Sequence, residues 1–222
     1  NIVFADADLE RAIAGAVSAA FYNSGQICTA GSRLLVQREV ADEVLAGVAA
    51  GGRKLIVGDP LDPATELGPL VSRAQNDRVA GYIEKGIDEG ARKVSGGARE
   101  GSGYYVEPTV FGDVNNDMVI ARDEIFGPVL SVIPFADAEE AARIANTTSY
   151  GLAAGIWTRD IGRAHGLAHR LAAGTVWINA YNLFHEASPY GGFKASGYGR
   201  ENGEEVLYDL TQTKSVWVAL DR

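Results

Sequence analysis

Short apolar runs alternate with stretches of helical period along most of this chain, and that alternation points to an α/β fold. Ile2-Val3-Phe4, "RLLVQ" (33–37), "GPVLSVIPF" (127–135), "GLAAGIW" (151–157) and "TVWINA" (175–180) read as strands. Asp8 can cap a helix running to about Phe21, with Leu9, Ile13, Val17 and Ala20 at helical spacing. Further helices are expected over "EVADEVLAGVAAGGRKL", "RAQNDRVAGYIEKGIDEG", "DAEEAARIANT" and "DIGRAHGLAHRLAAG". "VGDPLDPATELGPLVS" is a long Pro-punctuated connection, and "ARKVSGG" turns into "YYVEPTVFGDV". The expected architecture is a mostly parallel sheet flanked by helices.

After Ala180 the composition changes. "YNLFHEASPYGGFKASGYGRENG" is a long loop rich in Gly, Ser and aromatics, and loops of that length are usually functional or disordered. A short helical turn around Glu204 to Leu210 follows. The alternation in "TQTKSVWVAL" then reads as a strand standing apart from the α/β body. Two parts are expected: a body over 1–205 and a tail over 206–222. A terminal strand with no partner in its own sheet exposes unpaired backbone groups, so Thr211 to Ala219 is expected in contact with a second copy, as a homodimer or homotetramer.

A formal net charge of -9 opposes binding to nucleic acid and to anionic membrane surfaces. A single cysteine allows no internal disulfide. No apolar run approaches the ~20 residues of a membrane span and no signal peptide is visible, so the cytoplasm is the default. The chain opens on Asn1, enters an apolar triplet at once, and has Met118 as its sole methionine. These features are expected of a fragment whose upstream half is missing.

The one cysteine, Cys28, lies among Gly25, Gln26, Thr29, Ala30 and Gly31, small or polar groups that suit a loop with substrate access. As a thiolate it would be a strong nucleophile, whereas a free cysteine is also among the most often buried residue types. In "DEIFGPVL" a carboxylate, Glu124, stands beside an aromatic, Phe126; the pair could bind a ribose diol and a flat ring, or be a surface Glu and a core Phe. His165 and His169 have i,i+4 spacing, but no glutamate follows His165 and no third ligand is evident, so they read as a solvated helix face and no metal is expected. The glycines of "GYGRENG" do not fit G-x-G-x-x-G, and no phosphate-cradling loop is visible.

Together, "FYNSGQICTAGSR", "VGDPLDPATELGPLVS", "DEIFGPVLSV", "NTTSYGLAAGIWTRD", "AGTVWINAYN", "PYGGFKASGYGRENG" and "LTQTKSVWV" resemble the aldehyde dehydrogenase superfamily, in its order and over nearly the whole chain. The resemblance implies a catalytic domain followed by an oligomerisation strand, with a Rossmann-like domain upstream that would hold most of an NAD or NADP cofactor. It implies that Cys28 attacks an aldehyde to give a thiohemiacetal, that hydride passes to nicotinamide, and that water hydrolyses the resulting thioester to a carboxylic acid. The oxyanion would be held by the backbone N–H at the nucleophile and by an upstream asparagine, and the deacylating base would also lie upstream. Glu124 and Gln75 would hold cofactor ribose hydroxyls and Phe126 would pack near the nicotinamide ring. Glu201 would serve proton relay or cation binding, and Tyr22, Ile27, Thr29, Phe184 and Tyr190 would line the substrate tunnel, suiting an apolar aldehyde. Two alternatives remain at this point: acyl transfer to coenzyme A, and a folded, oligomeric but catalytically dead fragment.

Overall fold

Side-chain caps decide where most of the longer helices begin. The structure is a computed structural model that describes residues 1–98 and 103–220. Its helices are α1 (Leu9–Phe21), α2 (Ala41–Lys54), α3 (Arg73–Asp88), α4 (Val119–Arg122), α5 (Ala138–Asn146), α6 (Ile161–Ala168) and α7 (Glu205–Leu210). Asp8, Ser72, Asp137 and Asp160 each accept a hydrogen bond from a backbone N–H in the first turn of α1, α3, α5 and α6. Helix α2 lacks such a cap and instead carries Asp42 and Glu43 in its first turn and Arg53 and Lys54 in its last, which suits the helix dipole.

The strands are β1 (Ile2–Val3), β2 (Arg33–Gln37), β3 (Arg92–Ala98), β4 (Val106–Gly112), β5 (Val129–Phe135), β6 (Tyr150–Gly151), β7 (Ala153–Trp157), β8 (Thr175–Ile178) and β9 (Phe193–Lys194). Seven form one sheet in the order β3-β4-β5-β2-β1-β7-β8. All its pairings are parallel except β3 with β4. The pleat sends alternate residues to opposite faces. Leu34 and Val36 of β2 pack with Ala12, Ala16, Val44 and Val48 under α1 and α2. Leu35 faces the other way, into a cluster with Val79, Phe111, Ile133, Phe135 and Leu167 that is roofed by α3, α5 and α6. Helices on both faces are what an α/β parallel sheet requires, and the expected architecture is present.

Three elements differ from expectation. The apolar run "GLAAGIW" is divided: Ala153–Trp157 joins the main sheet, while Tyr150–Gly151 turns away to pair antiparallel with Phe193–Lys194. The reason is tertiary: Gly151 donates its N–H to Ser196 Oγ and its Cα lies so close to Ala172 O that a Cβ would sit 2.3 Å away. The single turn of α4 has no separate sequence signal. The terminal strand expected at Thr211 to Ala219 is not formed within the chain: residues 211–220 lie in no strand or helix and are exposed, since a ladder needs a second backbone that the chain's own sheet does not offer. The last two residues of the expected tail, 221–222, lie outside the described residues.

Phe111 of β4 is 0% exposed, whereas Leu61 in the Pro-punctuated connection is 90% exposed. Phe111→Ala should lower the unfolding free energy by about 3–5 kcal/mol and Leu61→Ala by less than about 0.5 kcal/mol. Urea melts read both through their midpoints.

Candidate active site

A cleft of about 370 Å³ opens at the end of the sheet where the parallel strands begin. Its walls come from the segments entering β2 (Gly25 to Arg33), β5 (Ala121 to Gly127), β7 (Ala145 to Ala154) and β8 (Leu171 to Ala173). Ligands of open α/β sheets ordinarily sit at the opposite, carboxyl end. Here helices α1, α4, α5 and α6 finish at the cleft, so their negative dipole ends face it. Arg33 answers part of that potential by donating from Nη2 to Ile144 O at 2.8 Å, and Lys194 Nζ donates to Asn146 O at 2.9 Å, both at the end of α5. Burial pushes the Arg33 guanidinium down to about 10, still a cation at neutral pH.

Cys28 is exposed and lines this cleft. The turn that presents it reverses through Asn23 (φ 51), Ser24 (φ 56) and Gly25 (φ 69), all in the left-handed region. Ser24 Oγ donates to Gly68 O at 2.8 Å and Gln26 Oε1 accepts from Val71 N at 2.9 Å, which ties the turn to the connection before α3. A Cβ on Gly25 would sit 2.2 Å from Gly127 O, so only glycine lets the two turns touch. On the other side, Tyr181 Oη donates to Thr29 O at 3.0 Å and Thr29 Oγ1 donates to Asn182 Oδ1 at 2.7 Å. Among the described residues the Cys28 N–H has no acceptor, which leaves it free to donate into the cleft.

The second wall carries Glu124 and Phe126. The carboxylate is exposed, and the Phe126 ring is 39% exposed on a left-handed backbone (φ 59). Three residues on one face of α3 grip this segment. Tyr82 Oη donates to Asp123 Oδ2 at 2.9 Å, Arg78 Nη2 donates to Glu124 O at 2.7 Å, and Gln75 Nε2 donates to Ile125 O at 3.0 Å and Phe126 O at 2.8 Å. The Tyr82 hydroxyl is raised above its ordinary value by burial and by its bond to Asp123.

The structure therefore brings Cys28, Ile27, Thr29, Glu124 and Phe126 to one cleft. Tyr190 reaches it through its hydroxyl, 3.3 Å from Cys28 Sγ, and Phe184 packs edge-on against the Tyr190 ring with centroids 5.4 Å apart. Glu201 is paired to Tyr190 through both backbones at 2.7 Å, with an exposed side chain. Gln75 stands behind the Phe126 turn with its amide nitrogen turned to carbonyls. Tyr22, 61% exposed, faces a separate groove between α1 and α2 beside Val17, Gly51 and Leu55. His165 on α6 and His169 just after its end are both exposed, and no cluster of three metal-ligating side chains occurs among the described residues.

Sequence reading passed over Tyr181, Asn182, Arg78 and Tyr82. The i, i+3, i+7 stripe of Gln75, Arg78 and Tyr82 was the available signal for α3. For the other latch it was the pair Asn179 and Asn182, asparagine being the residue that best tolerates positive φ after glycine, as both do here (52 and 54).

The aldehyde dehydrogenase family model matches residues 1–216. The chain is 49% identical over 222 residues to the putative aldehyde dehydrogenase DhaS of Bacillus subtilis, covering 100% of this chain and 45% of that protein. It is 49% identical over 225 residues to the betaine aldehyde dehydrogenase of Sinorhizobium fredii, covering 100% and 46%. An aldehyde dehydrogenase from Bacillus cereus solved as its NAD+ complex superposes with a TM-score of 0.96 at 50% identity, over 100% of this chain and 45% of that one. The chain thus spans under half the length of the relatives it matches.

Gly25→Ala should lower stability by about 1–3 kcal/mol, because the new Cβ meets backbone and the φ is strained. Gly166→Ala, inside α6 with nothing within 4 Å, should instead raise it by about 0.5–1 kcal/mol. Thermal or urea melts of the two variants check the contrast.

Proposed function

Because this chain belongs to the aldehyde dehydrogenase family, we propose that it supplies the nucleophile side of an NAD(P)-dependent oxidation of an aldehyde to a carboxylic acid, with Cys28 as the nucleophile. The observation that carries this reading is an exposed thiol in a cleft shared with Glu124 and Phe126, beside a backbone N–H that has no acceptor among the described residues. Sulfur attack forms an S–C bond while the carbonyl pair moves to oxygen, and the Cys28 N–H would hold the charge gathering there. Loss of two electrons and a proton from that adduct gives a thioester. Cysteine suits both stages, being a soft nucleophile first and a good leaving group when water attacks the thioester.

The residues present fit one end of a nicotinamide dinucleotide. Glu124 offers an exposed carboxylate to a ribose diol and Phe126 a half-exposed ring to a flat heterocycle, while the sequence holds no glycine-rich phosphate loop. When bound, the nicotinamide supplies the two-electron acceptor. Arg78 holds the Glu124 backbone and Gln75 holds the Phe126 turn from behind, so Glu124 would meet the ribose directly and Gln75 would serve the cofactor by fixing that turn. Glu201 would serve the traffic of protons behind Tyr190. Ile27, Thr29, Phe184 and Tyr190 would surround the aldehyde's substituent, and Tyr22 would contribute only from the neighbouring groove. The edge-to-face rings of Phe184 and Tyr190 also suit a quaternary ammonium head, in line with the relative named for betaine aldehyde. Relatives named for aldehyde oxidation favour water over coenzyme A as the acceptor of the acyl group.

Residues 1–205 would form the catalytic body of a cytoplasmic enzyme and 206–222 an oligomerisation tail. No helix among the described residues is long and apolar enough to cross a membrane. The tail leaves Val216, Trp217, Val218 and Leu220 between 76% and 92% exposed, a stretch that a second copy would cover by strand pairing.

Two experiments test this. p-Nitrophenyl acetate should acylate the folded chain with a nitrophenolate burst of about one equivalent, lost in Cys28→Ala; a folded chain without a burst would remove Cys28 as the nucleophile. Light scattering should give at least a dimer that becomes a monomer when the residues after Leu210 are deleted, and a dimer that survives the deletion would refute the tail's part.

A further inference from the structure

The thiol of Cys28 has one polar side-chain neighbour among the described residues, the Tyr190 hydroxyl at 3.3 Å, and that hydroxyl has no other partner there. A ring that only walls a substrate tunnel needs no hydroxyl, because phenylalanine would offer the same surface. The placement does not arise from the contact itself. Tyr190 is pinned from behind by two backbone hydrogen bonds of 2.7 Å with Glu201. Its ring is steadied by Phe184, which in turn stands edge-on to Trp177 with centroids 5.6 Å apart. Cys28 is held, through Thr29, by Tyr181 and Asn182, and Tyr181 in turn packs on Trp177 with centroids 4.8 Å apart. Two side chains, each fixed by contacts other than their own and both resting on a framework that includes Trp177, thus meet at hydrogen-bond distance.

We propose that Tyr190 is a positioning residue for the nucleophile: its hydroxyl orients the Cys28 thiol in the cleft and donates to the sulfur as negative charge gathers on it. This rests on the reading of Cys28 as the nucleophile. While sulfur carries its proton, either atom can donate; once the proton leaves, only Oη–H to sulfur remains, so the contact strengthens as the attacking species forms. Burial, the thiol contact and the neighbouring Glu201 charge all raise the Tyr190 phenol well above its ordinary value, which keeps it a neutral donor throughout the physiological range.

The test compares alkylation of Cys28 by iodoacetamide at pH 7 in the whole chain and in Tyr190→Phe, Tyr190→Leu and Phe184→Leu, each first shown to melt cooperatively. Tyr190→Phe keeps the ring and should still react about threefold to tenfold more slowly than the wild type, with Tyr190→Leu no faster. Phe184→Leu keeps the hydroxyl but loosens the ring, and should react at a rate between those of the wild type and Tyr190→Phe; it carries the test if Tyr190→Phe does not fold. A wild-type rate in folded Tyr190→Phe, with only Tyr190→Leu impaired, would show a packing wall and overturn the proposal, as would an unchanged rate in Phe184→Leu. Iodoacetamide requires only a thiol, so a hydroxyl-dependent rate would stand even if the ester burst failed. A normal burst without a hydroxyl effect would keep the nucleophile and remove the tyrosine.

Discussion

At the centre of the site two backbones meet with no side chain between them. Gly25, in the turn that presents Cys28, lies against Gly127, and a Cβ on Gly127 would in turn strike Val79 of α3 at 2.5 Å. Helix, Phe126 turn and thiol turn are therefore stacked in one line with contact at every step. Close-packed interiors transmit displacement instead of absorbing it, so the position of α3 fixes the distance between the carboxylate wall and the sulfur. The grip of Gln75, Arg78 and Tyr82 on residues 123–126 adds hydrogen bonds to the same joint. Three elements far apart in sequence behave as one rigid mount.

The sheet imposes a second constraint. Because every strand but β3 runs the same way, each of α1, α4, α5 and α6 ends where the next strand of its face begins, and the cleft collects carbonyl-rich termini. Such an edge disfavours a developing anion unless donors are added. The chain adds them one at a time: guanidinium and ammonium groups on the end of α5, an uncommitted N–H at Cys28, and a phenol at the sulfur. The amino edge thus gathers donors as well as carbonyls around the sulfur.

Much of the body was legible in the sequence, since apolar runs and helix caps are local signals. Asp8, Ser72, Asp137 and Asp160 begin helices in the structure as their residue types suggest, and β2 and β5 occupy the runs that announced them. The division of "GLAAGIW" was not legible, because it depends on Ser196 and Ala172, which are distant in sequence. The cleft was legible as chemistry and not as geometry. Cys28, Glu124 and Phe126 stood out by type and setting, and motif resemblance supplied their company. That Tyr22 turns to another groove and that Gln75 spends its amide on two carbonyls follow from the path of α3 and from the left-handed reversal at Asn23 and Ser24, which no periodicity encodes.

The strand order also dictates a schedule. Strand β1 lies in the interior of the sheet, with Ile2 facing Leu35 on one side and Ile156 on the other. A ribosome releasing ~5–20 residues per second would deliver the second partner roughly 8–30 s after the first strand emerged. Until then the outer edge of β1 stands open, with Ile2 and Val3 unpaired on that side and ready to bind any extended chain nearby. The half of the sheet that carries β2, β4 and β5 can assemble first, and the arrival of β7 closes it. Crowding on polysomes, where identical nascent chains wait side by side with the same open edge, is thus the moment at which this fold is most vulnerable to pairing with the wrong copy.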